Sequence, residues 1–326
     1  MEHFKSSIII TVIGLIAAYF VGGLYAVYIT ALLAVLEISL SFDNAVVNAK
    51  VLSTMEPKWQ KRFITFGIPI AVFGMRFLFP IVIVAVASGL GVYETFTLAL
   101  NEPQQYKETL ESVGNLIYAF GGSFLLMVFL SFLFDDDRED KWIHIIESSK
   151  FVAKAGEIKS IEMMIATALG LYIVYLTNDS GIAISYFMGI LLFSMIASLD
   201  TLMSTDGVRS GIIGFLYLEV LDASFSFDGV IGAFALSSNI FIIMIGLGIG
   251  AMFVRSLTLY FVEKKTLTEY RYLEHGAHYA IAALALVMLS KIFFHIPEVI
   301  VGTIGITFIA ISAYHSIQAN KKEKES

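Results

Sequence analysis

Four carboxylates sit where the hydropathy of the chain says that lipid should be. Residues 36–44 read LEISLSFDN and residues 221–229 read LDASFSFDG, each in the middle of an apolar run. Aligned without gaps, Leu36, Ser39, Ser41, Phe42 and Asp43 meet Leu221, Ser224, Ser226, Phe227 and Asp228, and Glu37 meets Asp222. A carboxylate at bilayer depth costs roughly 2.5–3.5 kcal/mol on insertion scales, so four cost on the order of 10 kcal/mol unless paired or hydrated. Stability gives no reason to keep such groups, and they read as a polar site inside a membrane protein. Oxygen-only ligands suit hard divalent cations such as Mn²⁺, Mg²⁺ or Ca²⁺. The chain has 0 cysteines, which excludes disulfides and thiolate metal sites.

Helical spacing sorts these groups. Positions i, i+4, i+7 and i+11 share a face, which in the first copy collects Glu37, Ser41, Asn44 and Asn48 into an oxygen-bearing stripe. In the second copy Glu219, Asp222, Ser226 and Gly229 form the corresponding stripe. Asp43 and Asp228 lie off these stripes on a regular helix. Either they face a different partner, or the helix breaks there, and Asp-Asn and Asp-Gly are pairs that favour a break. The metal-ligand candidates are therefore Glu37, Asp43, Asn44, Asn48, Glu219, Asp222 and Asp228. A competing arrangement pairs Asp43 and Asp228 with Arg76 and Arg255, which serve as structural counter-ions.

The elements that must position these residues are helices. The chain has 326 residues, of which 57% are hydrophobic and 15% charged, against about a quarter charged in a soluble domain. Few prolines and no strand-like alternation favour helices over a barrel. Ten apolar segments span 7–26, 28–52, 62–89, 113–134, 161–177, 183–199, 211–236, 239–262, 273–294 and 298–318, most reaching the ~20 residues that a membrane helix needs. The expected fold is thus an all-α polytopic membrane protein of about ten transmembrane helices. Residues 1–134 hold the first-repeat helices, with motif helix 28–52. Residues 135–160 form a cytoplasmic linker opening with DDDREDK, and 161–326 form the second half, with motif helix 211–236. Ten spans place Lys107 alone on one side, while Lys50, Arg76, Arg255 and Lys291 fall within or at the edge of spans. All other basic residues, Arg62, Lys154 and Arg271 among them, then share the opposite side with both termini. The positive-inside rule makes that side cytoplasmic. Asp200 and Asp206 fall in a loop on that side, and residues 90–112 form an acidic loop on the other.

The duplication extends downstream. Residues 67–76, GIPIAVFGMR, and 246–255, GLGIGAMFVR, both run from Gly to Arg over the same length. The motif helices are spans two and seven and cross in opposite directions. That is an inverted repeat, the architecture by which many secondary transporters place a site at the membrane midplane.

With these residues in view, the chain resembles the TerC family of integral membrane proteins. The likeness is carried by Leu36-Glu37 and Asp43-Asn44, by Glu219, Asp222 and Asp228, by Ser238-Asn239-Ile240 ahead of the Gly246 to Arg255 helix, and by YLEHG at 272–276 with Lys291. It covers most of 33–76 and 215–312. The resemblance implies a transporter-like fold historically linked to tellurium resistance, with members that export manganese, grouped with the lysine-exporter-like transporters. It implies that Glu37, Asp43, Asn44, Glu219, Asp222 and Asp228 are metal-site positions. Gly229 departs from the serine that the family often has there.

The expectation is a membrane transporter, not an enzyme, that exports a divalent cation, Mn²⁺ above others, by alternating access with protons competing for the same carboxylates. It lies in the inner (plasma) membrane, takes the metal ion as substrate and the lipid bilayer as partner, and holds no permanent cofactor. No Gly-rich loop followed by Lys-Ser/Thr occurs, which argues against a nucleotide site, and no basic cluster points to nucleic acid. The rival readings are a membrane scaffold or insertion factor with structural buried charges, an amino-acid exporter, and a membrane enzyme using a metal near the cytoplasmic face, against which the lack of a clustered His/Asp/Glu set in loops counts.

Overall fold

The computed structural model describes residues 4–135, 138, 140–203 and 211–325. Asp206 and the side chain of Asp228 lie outside what it describes. Every regular element among the described residues is helical. In chain order these are α1 (Lys5–Leu40), α2 (Phe42–Ser53), α3 (Pro57–Pro69), a π-helical segment (Ile70–Leu78), α4 (Phe79–Ser88), α5 (Val92–Asn101), α6 (Pro103–Ser112), α7 (Gly114–Leu133), α8 (His144–Glu147), α9 (Lys150–Gly156), α10 (Ile161–Thr177), α11 (Ser180–Met203), α12 (Gly211–Leu236), α13 (Ile240–Glu263), α14 (Thr266–Glu269), α15 (Leu273–Lys291) and α16 (Glu298–Glu325). Among the described residues six helices, α1, α7, α11, α13, α15 and α16, have stretches long and apolar enough to cross a membrane. The chain is an all-α membrane protein. Helices α7, α13 and α15 are mostly buried, whereas α1, α11 and α16 turn most of their surface outward, as lipid-facing helices do.

At 36 residues, a straight α1 would be about 54 Å long, well beyond a hydrocarbon core of about 30 Å. It is not straight. Gly22 and Gly23 leave helical geometry, with Gly23 at φ 67° and ψ −156°, a region that only glycine occupies without strain. The contacts show that the chain turns back there. Ser7 donates to the Met252 carbonyl at 2.9 Å and meets Ser256 at 2.6 Å, Gly14 lies against Ile245 and Ile249, and Gly22 reaches Ile242. Beyond the turn the order reverses, with Thr30 and Leu33 against Gly246, then Ala34 and Glu37 against Gly250. Both halves of α1 therefore flank α13 and run in opposite directions. The expected division between 26 and 28 falls instead at Gly22–Gly23, because the paired glycines, not the end of the apolar run, set the turn.

The expected motif helix 28–52 is two pieces, split at Ser41 (φ −110°, ψ 15°). Segment 211–236 is one continuous helix, α12. The acidic segment 90–112 is not a loop, because α5 and α6 fold it into a helical pair. Pro103 starts α6, where its missing N–H costs nothing, and Tyr106 and Leu110, one turn apart, are buried, with Tyr106 5.5 Å from Phe234 between ring centres.

The linker 135–160 is docked to the bundle through Glu147. This carboxylate is buried and accepts from the backbone N–H groups of Trp142 and Ile143, each at 3.2 Å, and from Arg138 at 3.5 Å. It lies 3.4 Å from His275 on α15. Arg271 joins the same face to Glu323 and, at 3.9 Å, to Asp140, and Trp142 donates to His315 at 2.8 Å. Arg138 and segments 140–147, 271–275 and 315–323 thus meet at one end of the bundle.

Burial would raise the pKa of Glu147, but the bond and charge of His275 and the two backbone donors outweigh it and hold the carboxyl near 2, below the usual 4.5. A carboxylate depressed in the folded state contributes stability that is complete above 4.5 and disappears as the pH falls toward 2. Amide hydrogen exchange across residues 142–147 should therefore stay slow from neutral pH to about 4.5 and accelerate, relative to the bundle core, below it. Glu147→Gln should be fast at every pH. A wild-type linker that stays protected at pH 2 would remove this role from Glu147.

Candidate functional site

The two motif helices lie side by side and run antiparallel. A β-carbon built on Gly229 would stand 2.9 Å from Glu37 Oε2, and Asn44 Nδ2 donates to Asp222 Oδ1 at 2.8 Å. Residue 37 thus faces 229 while residue 44 faces 222, so the numbers rise along one helix as they fall along the other. In the motif alignment 37 matches 222 and 44 matches 229. Each contact is therefore the counterpart of the other.

One arginine lies between the helices. Arg76 donates to Glu37 Oε1 through Nη2 at 2.5 Å and through Nε at 3.2 Å. Its Nη1 donates to Asp222 Oδ2 at 3.2 Å. Ser41 Oγ donates to Glu37 Oε1 at 3.0 Å. Glu37, Ser41, Asn44 and Arg76 are all at most 3% exposed, so little bulk water screens the pair. Removing either partner from such a pair leaves an uncompensated charge.

Local sequence explains how Arg76 arrives there. It sits in the π-helical segment, with Pro69 just before it and Pro80 just after. Proline supplies no N–H to the ladder, and the Phe79 N–H reaches the Gly74 carbonyl, five residues back. The wider turn rotates Arg76 relative to a regular helix, and such turns recur at functional sites. Glu37 is seated by Gly250, since a β-carbon there would overlap Glu37 Cβ and Cγ. The absent side chain lets the first motif helix approach α13 closely.

The first stripe is as the spacing predicts, with Glu37, Ser41, Asn44 and Asn48 all buried. The competing pairing is corrected for Asp43, while the side chain of Asp228 lies outside the described residues. Arg76 holds Glu37 and Asp222, the two aligned acids, and Asp43 is directed elsewhere. The Asp43 carboxyl faces Gly305 on α16, and its Oδ1 has no hydrogen-bond partner. Arg255 forms no ion pair within 4.0 Å among the described residues. Instead it donates to the Phe63 carbonyl at 2.6 Å and lies over the Phe63 ring at 3.7 Å, with Nε unbonded. The kink lies at Ser41 in the first copy, two residues ahead of Asp43, and the second copy has no break at Asp228-Gly229. The off-stripe position of Asp43 thus reflects a different facing partner as well as a kink.

Glu219, 7% exposed, bonds through neither carboxylate oxygen. Asn48, Arg76, Asp222, Arg255, Thr258 and Phe63 line a void of about 10 Å³, room for one water molecule. Among the described residues no three His, Asp or Glu side chains converge as a metal-holding group. The centre of the site is filled by a guanidinium between two carboxylates. Phe63 and Thr258 were not legible as site residues. The only signal for Phe63 is its place one turn before Gly67, at the start of the repeated Gly-to-Arg stretch.

Gly250→Ala should cost about 1–3 kcal/mol, as overpacking of a close contact does, and should do so by pushing Glu37 off Arg76. Thermal unfolding in detergent measures the loss. An unchanged midpoint would mean that Glu37 is not seated by this contact.

No curated protein and no solved structure matches the chain. A family model does, over residues 42–323, from the last residues of the first motif into the last turn of α16. That match covers most of the chain, and the protein belongs to the family described as "Protein of unknown function (DUF475)".

Proposed function

We propose that this protein is a secondary transporter that exports a divalent cation, Mn²⁺ above others, by alternating access around the two motif helices. One observation carries the reading. Glu37 and Asp222, aligned acids of a duplicated motif, come from antiparallel helices to one buried point. The reciprocal 37–229 and 44–222 contacts are those of two units related by a two-fold axis, where residue i meets j and j meets i. They support an inverted repeat with its site at the repeat interface. Counting both halves of α1, the α3–α4 unit, α10 and α12 beside the other apolar helices supports ten crossings. Basic residues at the end of the bundle where Arg138, Arg271 and His275 meet support placing that end, with both termini, in the cytoplasm.

Arg76 has a part in this scheme. Two buried carboxylates cannot stand unpaired between transport events, and a guanidinium supplies the missing charge while no ion is bound. An arriving cation takes the carboxylate oxygens, with Asn44, Asn48 and Ser41 as neutral oxygen donors and Asp43 and Glu219 as further acids near the path. Protons compete for the same carboxylates, which permits antiport. The resemblance to the TerC family favours manganese. The Arg76 bridge also favours a second reading, a scaffold in which the ion pair only locks the bundle.

Flux into proteoliposomes separates the two readings. Wild type should carry Mn²⁺ saturably and in preference to Ca²⁺, Mg²⁺ and Zn²⁺, with a rate that responds to a pH gradient. Glu37→Gln, Asp222→Asn and Asp43→Asn should each cut the flux at least about tenfold, the lower end of what altering groups around a metal costs. Folded, correctly inserted protein that carries none of these ions would leave the scaffold.

A further inference from the structure

Two arginines at equivalent sequence positions lie near one bridged pair of acids. Arg76 and Arg255 close the two copies of the Gly-to-Arg stretch, and Glu37 and Asp222 are aligned acids. Exchanging the repeats maps the acid pair onto itself but maps Arg76 onto Arg255. Both arginines therefore have the same claim on the same two carboxylates. In this structure Arg76 has them, and Arg255 is held away from them.

The parking of Arg255 is built. Its guanidinium donates to the Phe63 carbonyl, stacks on the Phe63 ring, and fills the space beside Gly67, where a β-carbon would overlap it. The equivalent Gly246 is used differently, packed against Leu33 and the Thr30 carbonyl of α1. The repeats thus stand in two different local states. Arg255 is nevertheless 8% exposed with no ion pair within 4.0 Å among the described residues, and its Nε has no partner. It lines the same small void as Arg76, Asp222 and Asn48, whose Oδ1 is also unpartnered. A buried guanidinium that makes no direct ion pair is costly, and Asp222 lines the same void.

We propose that Arg255 is the alternate partner of the Glu37–Asp222 pair, so that the protein switches between an Arg76-bound and an Arg255-bound arrangement as its site faces opposite sides of the membrane. This rests on the transporter reading above and gives that site its two states. Paired elements of this kind are bistable rather than continuously deformable. In the second state Arg255 leaves Phe63 for Asp222, Arg76 releases the pair, and the contact of α1 with Gly246 loosens as the Gly67 berth empties. Arg255 is a positioning residue and needs no contact with the transported ion.

The absence of cysteine makes the test direct. Val47 lines a cleft at one end of the motif helices, and Ile231 lines a cleft at the other. Single variants Val47→Cys and Ile231→Cys are reconstituted and labelled with a membrane-impermeant maleimide applied to either side. Adding Arg255→Gln should trap the Arg76-bound state, and adding Arg76→Gln the other. The ratio of Val47 to Ile231 labelling should move in opposite directions in the two backgrounds, each by about fivefold or more, the lower bound of ordinary coupling between sites. Arg255→Lys and Arg76→Lys keep the charge without the planar fork. They should shift the ratio with the same signs and by less, which preserves the test if a glutamine variant fails to fold. Shifts in the same direction, or none, would overturn the proposal.

Labelling needs no substrate, so the two readings fail separately. Opposite shifts in a protein that transports nothing would sink the transporter alone. Mn²⁺ flux with parallel shifts would sink the exchange of arginines alone.

Discussion

Burying Glu37 and Asp222 together is the constraint on which the arrangement turns. Both acids are buried, and their mutual repulsion in a low-dielectric interior would drive the motif helices apart. The Arg76 fork converts that repulsion into a bridge by bonding to both. Asn44 and Ser41 complete it, one donating to each acid. The bridge joins three separate stretches of chain, so the packing of α1, the π-helical segment and α12 is committed to one charge balance.

The rest of the fold brings these groups within reach. The turn at Gly22–Gly23 sends the second half of α1 back along α13, which places Glu37 beside Gly250. The two prolines around the π-helical segment cost ladder hydrogen bonds and aim Arg76 at the motif helices. The kink at Ser41 redirects α2, so that Asp43 faces α16 while Asn44 faces Asp222. The π-helical segment and the kink at Ser41 lie at or next to the buried charges. Rules of local structure fail where a site takes precedence over them.

Much of the architecture was legible because it is local. Helices α10 and α12 coincide with the apolar segments 161–177 and 211–236, since a run of apolar residues between polar ends needs no partner to be recognised. The buried stripe of Glu37, Ser41, Asn44 and Asn48 follows from helical periodicity across a single kink. The helical pair in 90–112 was hidden because its burial depends on Tyr106 meeting Phe234, a contact between distant segments. The docking role of Glu147 was hidden for the same reason, because His275 lies far along the chain.

By itself the sequence determined that this is a helical membrane protein, that an acidic motif occurs in it twice, and that the motif's carboxylates fall inside apolar runs. Hydropathy and repetition are properties of consecutive residues and survive without a fold. Only the tertiary structure decided which cation answers which acid. Arg76 is 39 residues from Glu37 and 146 from Asp222, and its direction is set by a π-helical turn that no periodicity announces. The chain contains two arginines at matching places in the duplication, and packing against Phe63 and Gly67, not residue type, separates the one that bridges the acids from the one that does not.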